Sequence, residues 1–360
     1  MTTMSEKLSD QLTRQSKRVS QSVFDGSRLR VVLLVDVYDG AQQQFLEAYE
    51  QLCNQVAQVP GHVSDQLCQS IENPSQWLIT SEWESAPPFL TWVNSEEHVR
   101  MVEPLHSCVR DTRSLRFHIV RETGGEEAAD SASRRRLQAS PRIGDGVIRH
   151  ALTFTVKPGS EREVARILAD YASPQARVDE TTRLCRTSLF MHGNRVVRAI
   201  EVRGDLLAAL RHVSQQPEVR AVEEAINPYL EQERDLNDQE SARVFFTRAA
   251  LPAVHHLTAD ELTEGERQAL YYPARPDCGM RLAELLAQQD EAAADDPDSP
   301  VLRSTIFHRD DVVVRLIDVR PGAGGNAVLP EPGRQAALSA LLDGEPVGMD
   351  LVTDRRSPDA

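Results

Sequence analysis

The chain has 360 residues and a net charge of −15, long enough for two or three domains that each bury a core. That charge argues against nucleic acid or an anionic membrane surface as the main partner, and no apolar run reaches the roughly 18 residues that span a bilayer. Its five cysteines are odd in number, scattered and never in a C-x-x-C pair, which suits reduced thiols in a cytoplasm and argues against a structural metal site.

Residues 1–27 lack the apolar core of a signal peptide and read as a disordered polar arm. The run 29-LRVVLLVDVY-38 is a β-rich strand closed by Asp39-Gly40. Phe45, Tyr49, Leu52, Val56 and Val59 recur at spacings of three and four and predict a helix ending at Pro60-Gly61. A hairpin over 62–71 and 76–83 turns at Asn73-Pro74, short helix follows in 86–110, and 112–120 closes the module. The order β-α-β-β-α-β is the ferredoxin-like plan, with helices on one face of an antiparallel sheet. Residues 122–146 are rich in Gly, Ala, Ser, Arg and Glu and read as a linker.

The order then recurs. A strand at 147–156 precedes a helix at 160–171, a hairpin over 186–202 turns at Gly193-Asn194, helices occupy 206–213 and 219–230, and 242–251 is expected as the last strand. This second module ends near 257. Residues 187–203 align without gaps on 304–320, at a shift of 117, so 258–345 read as a partial third repeat and 346–360 as a tail. Arg198/Arg315 and Glu201/Asp318 recur in the two copies and suit ion pairs across strands or between repeats. The fold expected is α+β, with tandem ferredoxin-like modules whose open, apolar sheet faces meet in dimeric α+β barrels, within the chain or in a homodimer.

Residues 28–121 resemble the antibiotic biosynthesis monooxygenase family. The resemblance is carried by GHVSDQLCQSIENPSQWLITSEWES and TWVNSEEHVRMVEPL, with Gly61, Asn73-Pro74, Trp77, Glu82 beside Trp83, and His98 at the family's positions. Residues 147–257 resemble the SchA/CurD-like domain encoded beside type II aromatic polyketide synthases. The pairing implies a tailoring monooxygenase, quinone-forming or hydroxylating, acting on a polycyclic aromatic polyketide. Molecular oxygen is the implied co-substrate, with no metal and no required flavin, although no short motif excludes a flavin. Other polyketide synthase tailoring proteins are the partners this context suggests.

Such chemistry needs an apolar cavity, a donor that favours the enolate, and groups that stabilise reduced oxygen. By the family's pattern Asn73 and Trp77 are the catalytic pair, and His98 is a third catalytic candidate. His62, Trp83 and Trp92 are expected to bind substrate, with either histidine able to take a proton near neutral pH. The plainer readings stand beside these. Trp77 and Trp83 are six apart, share a strand face and suit a core as well as a pocket wall. Asn before Pro is a favoured turn residue, His98 lies in a charged stretch, and Trp92 can anchor a helix. Adjacent His255 and His256 seldom converge on one metal. Two rival functions follow from the same fold: a polyketide cyclase using His62, Glu82 and His98, and a non-catalytic binding or assembly protein.

Overall fold

The computed structural model describes residues 19–120, 144–170, 173–259, 264–294, 296, 298–323 and 332–357. The chain divides into two compact units, Ser22–Arg142 and Met1–Gln21 with Ile143–Ala360. Most of the expected arm and linker lies outside the described residues, but the arm's last part contains a strand, β1 (Val19–Ser22). Among the described residues no helix is long and apolar enough to cross a membrane.

The smaller unit runs β2 (Leu29–Val37), α1 (Gln42–Val56), β3 (His62–Gln69), β4 (Gln76–Trp83), α2 (Ala86–Val93), α3 (Glu96–His106) and β5 (Val109–His118). Its sheet order is β3-β4-β2-β5, antiparallel throughout. Leu29, Val31, Val35 and Val37 bury one face of β2, and the cross-strand partners Trp83 and Trp77 share it. α1 covers this face with Phe45, Leu52 and Val56, at helical spacing. α2 starts at a proline-rich first turn, which needs no amide hydrogen there. α3 is capped by Ser95, with Glu96 and Glu97 at the positive end of its dipole. On the opposite sheet face Leu34 and Phe117 are 43% and 51% exposed.

The larger unit holds two complete modules. One comprises β6 (Val147–Thr155), α4 (Glu161–Ala169), β7 (Arg183–His192), β8 (Arg195–Arg203), α5 (Leu206–Gln215), α6 (Pro217–Ile226), α7 (Gln239–Ala249) and β9 (Ala250–Thr258). The other comprises β10 (Glu266–Pro273), α8 (Gly279–Ala294), β11 (Val301–Arg309), β12 (Val312–Val319), α9 (Pro332–Leu341) and β13 (Val347–Arg356). Within each the strand order is fourth-first-third-second, as in the smaller unit. β9 joins β11, and β13 joins β7. With β6 paired to β9 the eight strands close into an antiparallel barrel, and β1 adds to β9 on its rim.

Two expectations are corrected here. The segment 242–251 is mostly helix, because Phe245 and Ala249 are four apart and both turn into the core of the first of these modules; the strand starts at Ala250. The expected tail is the fourth strand of a complete third module. Its sequence, VGMDLVTDRR, is polar because Asp354 faces a charge network inside the barrel.

The barrel interior is apolar at one end, where Phe190, Val197, Leu251, Phe307, Val314 and Met349 meet. At the other end Arg186 bonds Asp318 at 3.0 Å and Asp354 at 2.8 Å, while Arg267 bonds Asp318 at 2.8 Å and Glu201 at 2.7 Å. Glu201 and Asp318 thus make the inter-repeat pairs. Burial alone raises the Asp318 carboxyl, but Arg267 and Arg186 bring it down to about 2. Arg198 and Arg315 turn outward to helix carboxylates, Glu223 of α6 and Asp290 of α8.

Candidate functional site

The layer between the smaller unit's sheet and its helices collects the chain's rarest side chains. At the start of β4, Trp77 lies 5.3 Å from Phe45, which stacks on Tyr49 at 6.4 Å. At the end of β4, fully buried Trp83 meets His62 at 5.2 Å, Phe89 at 5.4 Å and Trp92 at 5.4 Å. His98 sits edge-on to Trp92 at 4.3 Å. The two ends are about 20 Å apart along the strand, at roughly 3.3 Å per residue.

Ser95 fixes the Trp92–His98 contact. Its hydroxyl donates to the Trp92 carbonyl at 2.7 Å and accepts from the His98 amide at 3.1 Å. One N-cap residue therefore ties the last turn of α2 to the first turn of α3. Burial, and then the charge of Arg116, lower the His98 imidazole to about 4, so it is neutral at neutral pH and serves as a hydrogen-bond acceptor. The exposed Arg116 lays its guanidinium 5.3 Å over Phe89 and puts a cation at the cluster's edge.

Four polar atoms of the side chains named here are buried with no hydrogen-bond partner among the described residues: His62 Nε2, Trp77 Nε1, Trp92 Nε1 and His98 Nδ1. Trp83 differs, because its Nε1 donates to Ser81 Oγ at 3.0 Å. Unpaired buried donors and acceptors are costly and rare, and here two indole N–H donors and two imidazole nitrogens lie among aromatic faces.

The structure brings His62, Trp83, Trp92 and His98 together, with Trp77 at the far end of the same layer. Asn73 is exposed in the β3–β4 turn. Its carboxamide oxygen accepts from the Ser75 amide at 3.1 Å and the Ser75 hydroxyl at 2.8 Å, an Asx turn. Glu82 belongs to neither end. It lies on the opposite face of β4, where Arg28 and Arg30 hold its carboxylate.

Sequence reading missed Asp65, whose carboxylate lies 2.8 Å from His62 Nε2. Residues three apart on a regular strand face opposite ways. The register slips between His62 and Ser64, a bulge at Val63 that puts His62 and Asp65 on one side. On the other flank, burial and then Asp65 push the Tyr49 hydroxyl up to about 12. In the larger unit His255 and His256 diverge: His256 bonds Thr305 and Thr258 at 2.8 and 2.9 Å, and His255 lies 4.0 Å from Asp290.

Comparison with known proteins matches residues 28–104 to the family described as antibiotic biosynthesis monooxygenase, and residues 147–259 to the SchA/CurD like domain. A 42.8 kDa protein in the whiE locus of Streptomyces coelicolor is 61% identical, covering 97% of this chain and 88% of its own. Protein SchA of Streptomyces halstedii is 60% identical (94% and 91%), and polyketide synthase CurD of Streptomyces cyaneus is 58% identical (95% and 98%). Among solved structures, SnoaB of Streptomyces nogalater, a cofactor-independent oxygenase, is 16% identical with a TM-score of 0.25, covering 27% of this chain and 96% of its own. A conserved protein of Methanosarcina mazei is 19% identical with a TM-score of 0.25, covering 26% and 94%.

Proposed function

The chain belongs to the SchA/CurD family, and on that premise we propose that it is a tailoring monooxygenase of aromatic polyketide biosynthesis whose site is the aromatic layer of the smaller unit. The observation that carries this reading is the set of buried, unpaired polar atoms on Trp77, Trp92 and His98, in the part of the chain that matches the monooxygenase family. A polycyclic phenol or anthrone has flat apolar faces for the rings, carbonyl or phenolate oxygens for the indole N–H groups, and hydroxyls for His98.

The reaction is proton removal followed by oxygenation. A base takes a proton from the substrate's activated carbon, leaving the electron pair as an enolate that Trp92, at the same end of the layer as both histidines, stabilises by donation. The enolate transfers one electron to O₂, the two radicals combine at carbon, and the peroxide loses water to leave a carbonyl. One CH₂ and one O₂ give one C=O and one H₂O, with no other reductant. His62 and Trp83 flank the same end, with Trp83 as a wall, and Asn73 and Trp77 lie at the far end of the layer. No cofactor enters the proposal.

The test is oxygen uptake by purified protein with an anthrone, without added cofactor. We expect a quinone product, and in Trp92→Phe, which keeps an aromatic ring and removes the N–H, a rate lower by about tenfold or more. Uptake only after flavin is added would defeat the cofactor-free reading. A second reading, a cyclase, is favoured by one observation, the His62–Asp65 pair, which is acid–base equipment without a redox part. Ring closure without oxygen uptake would select it.

A further inference from the structure

We propose that the polar rim of the larger unit's barrel is a binding site of its own, where a row of three arginines takes the oxyanion, carboxylate or phosphate, of a small organic molecule. Strand register builds the row. Arg183, at the start of β7, stands directly opposite Arg203, the last residue of β8. On the other side of β7, Arg177 bridges to Arg183. Residues paired across strands share a face, so the three side chains leave one rung, about 10 Å wide at the usual strand spacing. That face is the inner one. Arg203 is two residues beyond Glu201, which holds Arg267 inside the barrel. The alternate residues Ala176, Val178, Leu184 and Val202 pack on the outer side with Ala209 of α5.

The fold itself does not neutralise this row. Arg177, Arg183 and Arg203 make no ion pair among the described residues, and Arg183 Nε is buried with no hydrogen-bond partner. One rung deeper, Arg186 and Glu201 are already bonded to Asp318, Asp354 and Arg267. In the 177–183 hairpin Asp179 accepts the Thr181 and Thr182 amides at 2.7 and 2.8 Å, and Glu180 is exposed. Like charges directly opposite each other destabilise a sheet, and a local rule broken in this way marks a functional demand. The hairpin that presents the row is anchored: the Asp205 amide donates to Thr182 Oγ1 at 3.2 Å, and a Cβ on Gly204 would lie 2.5 Å from the Thr181 carbonyl oxygen. Arg177 and Arg203 are exposed and Arg183 is half-buried, so an anion reaches them from solvent. Guanidinium forks match carboxylate and phosphate oxygens. Val147 on β6, opposite Arg203, extends the rung with an apolar side chain, which suits an organic anion better than a bare inorganic one.

Calorimetric titration of the full chain tests this with three matched probes, 1-naphthoate, 1-naphthyl phosphate and the neutral 1-naphthamide. We expect both anions to bind at one shared site, more weakly as salt rises, and the amide not to compete there. Affinity should fall about tenfold or more in Arg183→Gln and in the double variant Arg177→Gln with Arg203→Gln, and stay unchanged in Trp92→Phe. Tighter naphthoate identifies a carboxylate-bearing occupant, and tighter naphthyl phosphate a phosphoester. Without a probe, Arg183→Gln should melt no lower than the wild type, because it relieves repulsion; with naphthoate it should gain less. No anion binding, or equal binding by the arginine variants, overturns the proposal. A probe-free Arg183→Gln that melts well below wild type also overturns it, by assigning the row to the fold.

Discussion

Ser95 shows how one side chain can assemble a site. Its hydroxyl joins the end of one helix to the start of the next and so sets Trp92 against His98. The same packing creates a pH signature. Burial lowers His98 to about 4, against about 6.5 in an unfolded chain. On acidification the unfolded chain takes the proton first, so the folded state loses stability as pH falls from about 6.5 to about 4 and holds it fully above. The three tryptophans all lie in the smaller unit, so their fluorescence in urea titrations follows that unit alone. We expect the wild type to weaken across this window and His98→Gln to lose that part of the slope. An identical slope in the variant would show that His98 is solvated. Gly61 offers a second residue-scale case. Its φ is +82°, and an added Cβ would sit 2.7 Å from Pro88 Cγ. Gly61→Ala should cost the smaller unit about 1–3 kcal/mol in the same titration.

At the scale of elements, β13 matters most for what the sequence conceals. Removing residues 346–360 deletes the strand that bonds both β10 and β7, so a chain ending at residue 345 should lose the larger unit's cooperative transition and aggregate through opened edges. Calorimetry and light scattering check this; a truncated chain with an intact transition would mean that β13 is dispensable. The strands richest in Val, Ile and Leu were legible, as were the hairpin dipeptide Gly193-Asn194 and the repeat at a shift of 117. β13 was not, because a strand facing a charged interior carries no alternation of apolar and polar residues. α7 was misread because Phe245-Phe246 suits either period until its neighbours settle which face is buried. The tryptophan cluster was visible because tryptophan is rare in this chain. Asp65 was invisible, since a one-residue bulge reverses the parity by which strand faces are counted.

At the scale of the molecule, the barrel shows what satisfies the open face of such a sheet: the open face of another. The smaller unit has the same strand order, yet its face leaves Leu34 and Phe117 in solvent. We expect two copies of the chain to pair through it, read by light scattering after size-exclusion chromatography. Phe117→Glu with Leu34→Glu should give monomers with unchanged far-UV circular dichroism. A wild type that is monomeric at all concentrations would refute the pairing.

The closed barrel has one more consequence. When identical subunits meet about a two-fold axis, every substitution is made twice, and both related positions change together. Two modules in one polypeptide escape that constraint. His256 opposite Thr305 and Asp354 opposite Ser188 occupy equivalent places in the two halves, yet one is an imidazole and the other a carboxylate. Fusion has let each half drift alone, so the interior can hold a gradient of character from one wall to the other that no symmetric assembly could encode.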